Sequence, residues 1–135
     1  MFSILSTFNS NYMKLLENKV AIVTGAVRGI GEAIVLKFAE EGAHVAFTYV
    51  SDSSAEKATL LEKRVISMGE KAKAYKSNAG DFVQCETFVN DVLKEFGTVD
   101  VCVNNAGISK DNLLLRMTPD QWDEVIRVNL NSVFY

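Results

Sequence analysis

One stretch constrains this chain more than any other: KVAIVTGAVRGIGEAIVLKFAEEGAHVAFTYV, residues 19–50. It opens on a continuous apolar run (19–24), crosses a loop with three glycines, continues at helical spacing and ends in a second apolar run (43–49). An unbroken apolar run of that length suits a strand covered on both faces. Between the runs, Ile30, Ala33, Ile34, Phe38 and Ala39 recur at helical spacing, and Gly42 stops the helix. Two buried strands joined by a helix form a right-handed parallel crossover, because only that hand packs the helix back onto the sheet.

The alternation continues along the chain. SSAEKATLLEKRVISMG predicts a second helix with Ser53 as N-cap, Glu56 three residues on and Gly69 as its stop. KAKAYKS (71–77) reads as a third strand. Asp81 with Gln84 opens a third helix bearing Phe88, Val89, Val92, Leu93 and Phe96, and Gly97 ends it. VDVCVNN (99–105) is a fourth strand, and Thr118-Pro119-Asp120-Gln121 combines an N-cap, an N1 proline and an N3 glutamine. The order β-α-β-α-β-α-β-α gives an α/β fold, a Rossmann-type doubly wound parallel sheet whose first four strands lie in the order 3-2-1-4.

Composition narrows the partners. Of 135 residues 48% are apolar, enough to build a core, and 14 basic against 17 acidic residues leave a net charge of −3. Without a basic run, neither nucleic acid nor an anionic membrane is the expected partner, and no stretch is apolar enough to span a bilayer. Cys85 and Cys102 lie far apart and the chain has one histidine, so the common zinc spacings are absent and a reduced, cytoplasmic setting is expected, with no metal. MFSILSTFNSNY (1–12) lacks the basic and apolar regions of a signal peptide, and Met13 directly precedes the first strand. Residues 1–18 are therefore expected to be an extension, disordered or from an upstream start. Residues 19–135 form the domain.

The glycine loop carries the chemistry. Gly25, Gly29 and Gly31 are spaced G-x-x-x-G-x-G between a buried strand and a helix. Such a loop brings backbone close to a pyrophosphate, points N–H groups at its charge and adds the helix dipole. The second strand ends Thr48-Tyr49-Val50-Ser51, without the acid that usually bonds a ribose 2′-hydroxyl. Arg28 can pair instead with a 2′-phosphate and Ser51 can add a hydroxyl, which favours NADP(H). Asp52 lies close enough to keep NAD as the alternative.

Thr24-Gly25-Ala26-Val27-Arg28-Gly29-Ile30-Gly31, followed after the fourth strand by Asn104-Asn105-Ala106-Gly107, resembles the short-chain dehydrogenases/reductases. NNAGISKDNLLLRMTPDQWDEVIRVNLNSVF is similar in particular to the 3-oxoacyl-[acyl-carrier-protein] reductases of fatty-acid synthesis. The resemblance runs from about Lys19 to Tyr135. It implies that Gly25, Ala26, Arg28, Gly29, Ile30 and Gly31 hold the cofactor phosphates, with Ser51 beside them. It implies too that Asn78 and Ala79 flank the adenine, and that Asn105, Ala106 and Gly107 line the nicotinamide ribose. Asn104 would tie adjacent strands together, and Asn129 matches the asparagine of the catalytic tetrad, on a helix that the family opens locally so that the asparagine binds a water in a proton relay. Independently of the family, Asn129 interrupts an apolar stripe of Trp122, Val125, Ile126 and Val133, where a buried amide needs partners. The plain alternatives are turn residues at Asn78 and at the second motif, and an asparagine satisfied by a neighbouring loop.

The resemblance also implies a serine after a fifth strand and Tyr-x-x-x-Lys on the next helix. The tyrosine would protonate the carbonyl, the lysine would lower its pKa and NADPH would deliver hydride. No tyrosine here has that spacing: Tyr12, Tyr49 and Tyr75 are followed four residues on by Leu16, Ser53 and Ala79, and Tyr135 is last. The expectation is an N-terminal fragment, inactive alone, with the fourth strand left as an apolar edge and an uncapped last helix. In its complete form it would reduce an acyl thioester on acyl carrier protein, with Lys110 and Arg116 as candidate contacts for the carrier, as a homotetramer. Acetoacetyl-coenzyme A, sugar or steroid dehydrogenases remain alternatives, as does a non-catalytic NADP-binding module. A receiver-like domain lacks the acidic strand ends it would need.

Overall fold

The computed structural model describes residues 13–135. Strands β1 (Val20–Val23), β2 (His44–Tyr49), β3 (Ala72–Lys76) and β4 (Val101–Val103) form one parallel sheet in the order β3-β2-β1-β4. That is the order expected from the sequence. Helices α1 (Gly29–Glu40), α2 (Ala55–Ser67) and α3 (Phe82–Phe96) make the crossovers, and α4 (Pro119–Ile126) follows β4.

Successive residues of a strand face opposite sides of the sheet, and β1 and β2 use both sides. Val23, Val45 and Phe47 pack with Val35 and Ala39 of α1 and with Ala58, Leu61 and Val65 of α2. Val20, Ile22 and Ala46 turn the other way, onto Phe88 and Val92 of α3. This two-sided burial explains why β1 and β2 read as continuous apolar runs. On α1 the buried line is Gly31, Val35 and Ala39. Ile30 and Ala33, expected on that face, are exposed instead, Ile30 by 76%.

The ends of α3 and α4 follow local chemistry. Asp81 caps α3 by accepting from the Gln84 amide at 3.0 Å, and Gly97 closes it at φ +85°. Thr118 and Gln121 form the reciprocal capping box at the start of α4. The start of α2 is different: Asp52–Ser54 make a 3-10 turn first, Ser54 is the N-cap and no side chain caps the helix. Ser53 instead bonds its hydroxyl to Ser51 at 2.9 Å, because three neighbouring serines satisfy one another more easily than they reach the helix amides. The boundary expected at residue 18 also changes. Residues 1–12 lie outside the described residues, but 13–18 belong to the folded unit: the Leu16 and Asn18 amides donate to the Glu41 and Gly42 carbonyls at 2.9 and 3.2 Å.

Two further sequence expectations change. The stripe on α4 is not covered: Trp122 and Val133 are exposed, and Val125 and Ile126 are half-buried. Strand β4 is an edge, as expected, but only three residues long.

The packing of α2 yields a direct comparison. Leu61 is 3% exposed and its neighbour Leu60 is 54% exposed. Leu61→Ala is expected to lower stability by about 2–5 kcal/mol and Leu60→Ala by less than about 0.5 kcal/mol, read from denaturant unfolding midpoints.

Candidate functional site

In a parallel sheet all carboxyl ends of the strands share one edge, so the loops after β1, β2, β3 and β4 meet there. The structure joins them through two threonines that the sequence reading did not single out as site residues. Thr24, at the end of β1, accepts at its Oγ1 from the amides of Asn105 (3.1 Å) and Ala106 (3.0 Å). Its hydroxyl donates in turn to the Val103 carbonyl at 3.5 Å. Thr48, only 2% exposed in β2, accepts from the Gly25 amide at its Oγ1 (3.0 Å), and its carbonyl accepts from the Ala26 amide (3.0 Å). The signal in the sequence was a hydroxyl residue at the end of each apolar run.

These bonds narrow the expected anion site. The amides of Gly25 and Ala26 are held by Thr48 and are not available to a phosphate. The next amides, of Val27, Arg28, Gly29, Ile30 and Gly31, have no acceptor among the described residues, and Arg28 places no side chain over them as N-cap. Those of Gly29, Ile30 and Gly31 open α1, with Arg28 as its N-cap and Val27 just before it, and at a helix start unpaired donors and the helix dipole both favour an anion. Gly29 sits at φ +59° with nothing within 4 Å of where a Cβ would project, so the cradle is open on that side. Gly31 has the opposite environment. A Cβ there would lie 2.5 Å from Asn105 Nδ2 and 2.7 Å from Ala26 Cα, so only glycine lets helix and loop close.

Asn105 does what Asn104 was expected to do. Its Nδ2 donates to the carbonyls of Thr24 (2.9 Å) and Gly25 (3.0 Å), tying the end of β4 to the glycine loop, whereas Asn104 is exposed. Ala106 packs against Gly25, where a Cβ would come within 3.0 Å of its Cα. Gly107 leads to Ile108, and there Asn129 enters. Asn129 Oδ1 accepts from the Ile108 amide and its Nδ2 donates to the Ile108 carbonyl, both at 2.9 Å. The helix widens into a π-helical stretch at Arg127–Asn131, the local opening that the resemblance implied. Asn129 itself is exposed rather than buried, and both polar ends of its amide are engaged by the loop.

The remaining residues divide. Asn78 Oδ1 accepts from the Gly80 amide at 2.9 Å and its own amide donates to Gln84, the geometry of a turn residue. Ala79 is buried, and its carbonyl accepts from the Cys85 thiol, whose pKa burial pushes up. Gly80 lies against Val128 of the π-helical stretch, which brings the β3 loop to the same edge. Ser51 is exposed and bonded to Ser53 and Ser54. Arg28 is exposed and lines a groove of about 400 Å3 with Glu32, Lys57, Leu60 and Arg64. Lys110 is paired with Glu124 at 3.0 Å. Among the described residues no group of His, Cys, Asp and Glu is arranged to hold a metal, and no helix is long and apolar enough to cross a membrane.

The fold and this edge define a parallel α/β domain with a row of open amides at the first strand-to-helix turn and a second, asparagine-tied loop beside it. The sequence profile described as short chain dehydrogenase matches residues 19–135, and the chain belongs to that family. It is 45% identical over 117 residues to the 3-oxoacyl-[acyl-carrier-protein] reductase FabG of Staphylococcus epidermidis, covering 87% of this chain and 47% of that protein. A blue fluorescent protein from a metagenomic library, solved in complex with NADPH, superposes with a TM-score of 0.85 at 41% identity, over 88% of this chain and 48% of the other. A short chain dehydrogenase from Burkholderia cenocepacia, solved with NADP, gives a TM-score of 0.85 at 39% identity over the same shares. The chain thus spans about half the length of the relatives it matches.

The Thr48 bond provides the test of the loop's anchoring. Thr48→Val keeps the shape and removes the acceptor of the Gly25 amide. The expected result is a loss of about 1–3 kcal/mol in stability and faster hydrogen exchange at the Gly25 amide.

Proposed function

We propose that this chain is the cofactor-binding part of an NADPH-dependent reductase that converts a 3-oxoacyl thioester on acyl carrier protein to the 3-hydroxyacyl form. The observation that carries the reading is the row of five amides from Val27 to Gly31 without acceptors, at a cradle whose Gly29 side is open. Likeness to the Staphylococcus epidermidis reductase supports the substrate class, and the NADPH and NADP complexes of the structural neighbours support the cofactor.

In this reading each residue's task follows from its position. The amides of Val27 to Gly31 hold the pyrophosphate, and Thr48 keeps them aimed by holding the preceding two. Arg28 meets the 2′-phosphate with a planar fork of donors, and Ser51 stands beside it. Asn105, Ala106 and Gly107 back the nicotinamide ribose on a loop fixed by Thr24. Asn129 clamps Ile108 and so holds the far side of that loop; in the complete enzyme it joins the tetrad. Asn78 and Ala79 flank the adenine side. Bound NADPH supplies the hydride. The chain contains no Tyr-x-x-x-Lys pair to supply the proton, so it binds the cofactor without turning over the substrate. The complete enzyme acts in the cytoplasm as a homotetramer.

Fluorescence titration of this 135-residue chain with NADPH checks the binding step. Saturable binding is expected, weakened about tenfold or more in Arg28→Ala, the size of one charge-assisted hydrogen bond, with NADH little affected. No NADPH oxidation is expected when a 3-oxoacyl thioester is added. Absence of NADPH binding by a folded chain would overturn the cofactor reading. Turnover by the chain alone would overturn the assignment of the proton donor to residues it does not contain.

A further inference from the structure

Asp52 is the acid nearest the end of β2, 21 residues beyond Gly31, where a carboxylate selects NAD by bonding the ribose 2′-hydroxyl. A carboxylate in that position also repels a 2′-phosphate. Yet the structure does not leave Asp52 facing the ribose side alone. Its Oδ1 lies 2.6 Å from Nζ of Lys76, the last residue of β3. The sheet register makes this pairing. Lys76 is the partner of Tyr49 across β2 and β3, and the Ser77 amide donates to the Tyr49 carbonyl at 2.9 Å. The end of β3 therefore runs beside the turn that follows β2. The ammonium–carboxylate hydrogen bond raises the Lys76 pKa, with the attraction of the two charges adding to it. Ser53 and Ser54 both bond the Ser51 hydroxyl, and the Asp52 carboxylate has Lys76 as its one partner among the described residues. Arg28 and Lys57 line one groove, in which Glu32 is paired with Arg64 at 2.9 Å.

We propose that Lys76 is a positioning residue for coenzyme choice: by holding the Asp52 carboxylate across the β2–β3 edge it withdraws the one acid that would favour NAD, and leaves the 2′-phosphate to Arg28. The inference rests on the cofactor reading above and adds a residue from a third strand to it. Both partners are exposed, so the pair itself adds little to stability and its loss leaves the fold intact. Its effect lies in where one negative charge is held.

Dissociation constants for NADPH and NADH, measured by fluorescence titration on the 135-residue chain, test this. Lys76→Gln is expected to lower the preference for NADPH over NADH by about fivefold, the scale of one exposed charge pair. Lys76→Arg retains the ion pair and keeps the wild-type preference. In the Asp52→Asn background, Lys76→Gln is expected to change nothing further. Two results would overturn the inference: an unchanged preference in Lys76→Gln, or an equal loss with and without Asp52, which would make Lys76 a direct partner of the phosphate. If the wild-type chain binds neither nucleotide, the cofactor reading fails and this inference falls with it, an outcome distinct from binding that ignores Lys76.

Discussion

Everything at the carboxyl edge of this sheet depends on two threonine hydroxyls that consume backbone amides. Thr48 takes the Gly25 amide, and Thr24 takes those of Asn105 and Ala106. A buried amide without an acceptor costs about 1–3 kcal/mol, so each bond fixes the path of a loop that has no regular structure of its own. Once the amides at 25 and 26 are bonded to β2, those at 27 to 31 are the ones left without acceptors among the described residues.

The three glycines of the loop do three different jobs. Gly25 lets the Ala106 backbone approach, Gly31 lets Asn105 and the loop lie against the helix, and Gly29 leaves open space in front of the cradle. Two are packing requirements, and the third, Gly29, is a backbone requirement set by its φ of +59°. The spacing of the motif therefore records a helix pressed onto two loops as much as it records a ligand.

Asn129 couples the same edge to the last helix. An α-helix aims a side chain every 100° or so, and the π-helical widening at Arg127–Asn131 shifts that phase locally. The shift lets one amide meet both backbone groups of Ile108 at 2.9 Å. Gly80 beneath Val128 brings the β3 loop into the same contact. Loops after β1, β3 and β4 thus share a single scaffold, and the turn after β2 joins it through Asp52 and Lys76.

The sequence by itself determined the element order, the strand order 3-2-1-4 and the position of the glycine loop, because apolar runs, helical spacing and caps such as Asp81 and Thr118 are local or periodic signals. It also marked Asn129 as an amide out of place in an apolar stripe. Only the tertiary structure decided which amides stay open, that Asn105 rather than Asn104 ties the strands, that the turn at Ser51–Ser54 satisfies itself, and that Asp52 faces Lys76. Apart from the serine turn, which is local, these are set by which groups lie opposite one another across a strand pair, for example Thr48 beside Gly25 and Tyr49 beside Lys76. Register between strands far apart in the chain is a property of the assembled sheet, and the residues on either strand, taken alone, do not carry it.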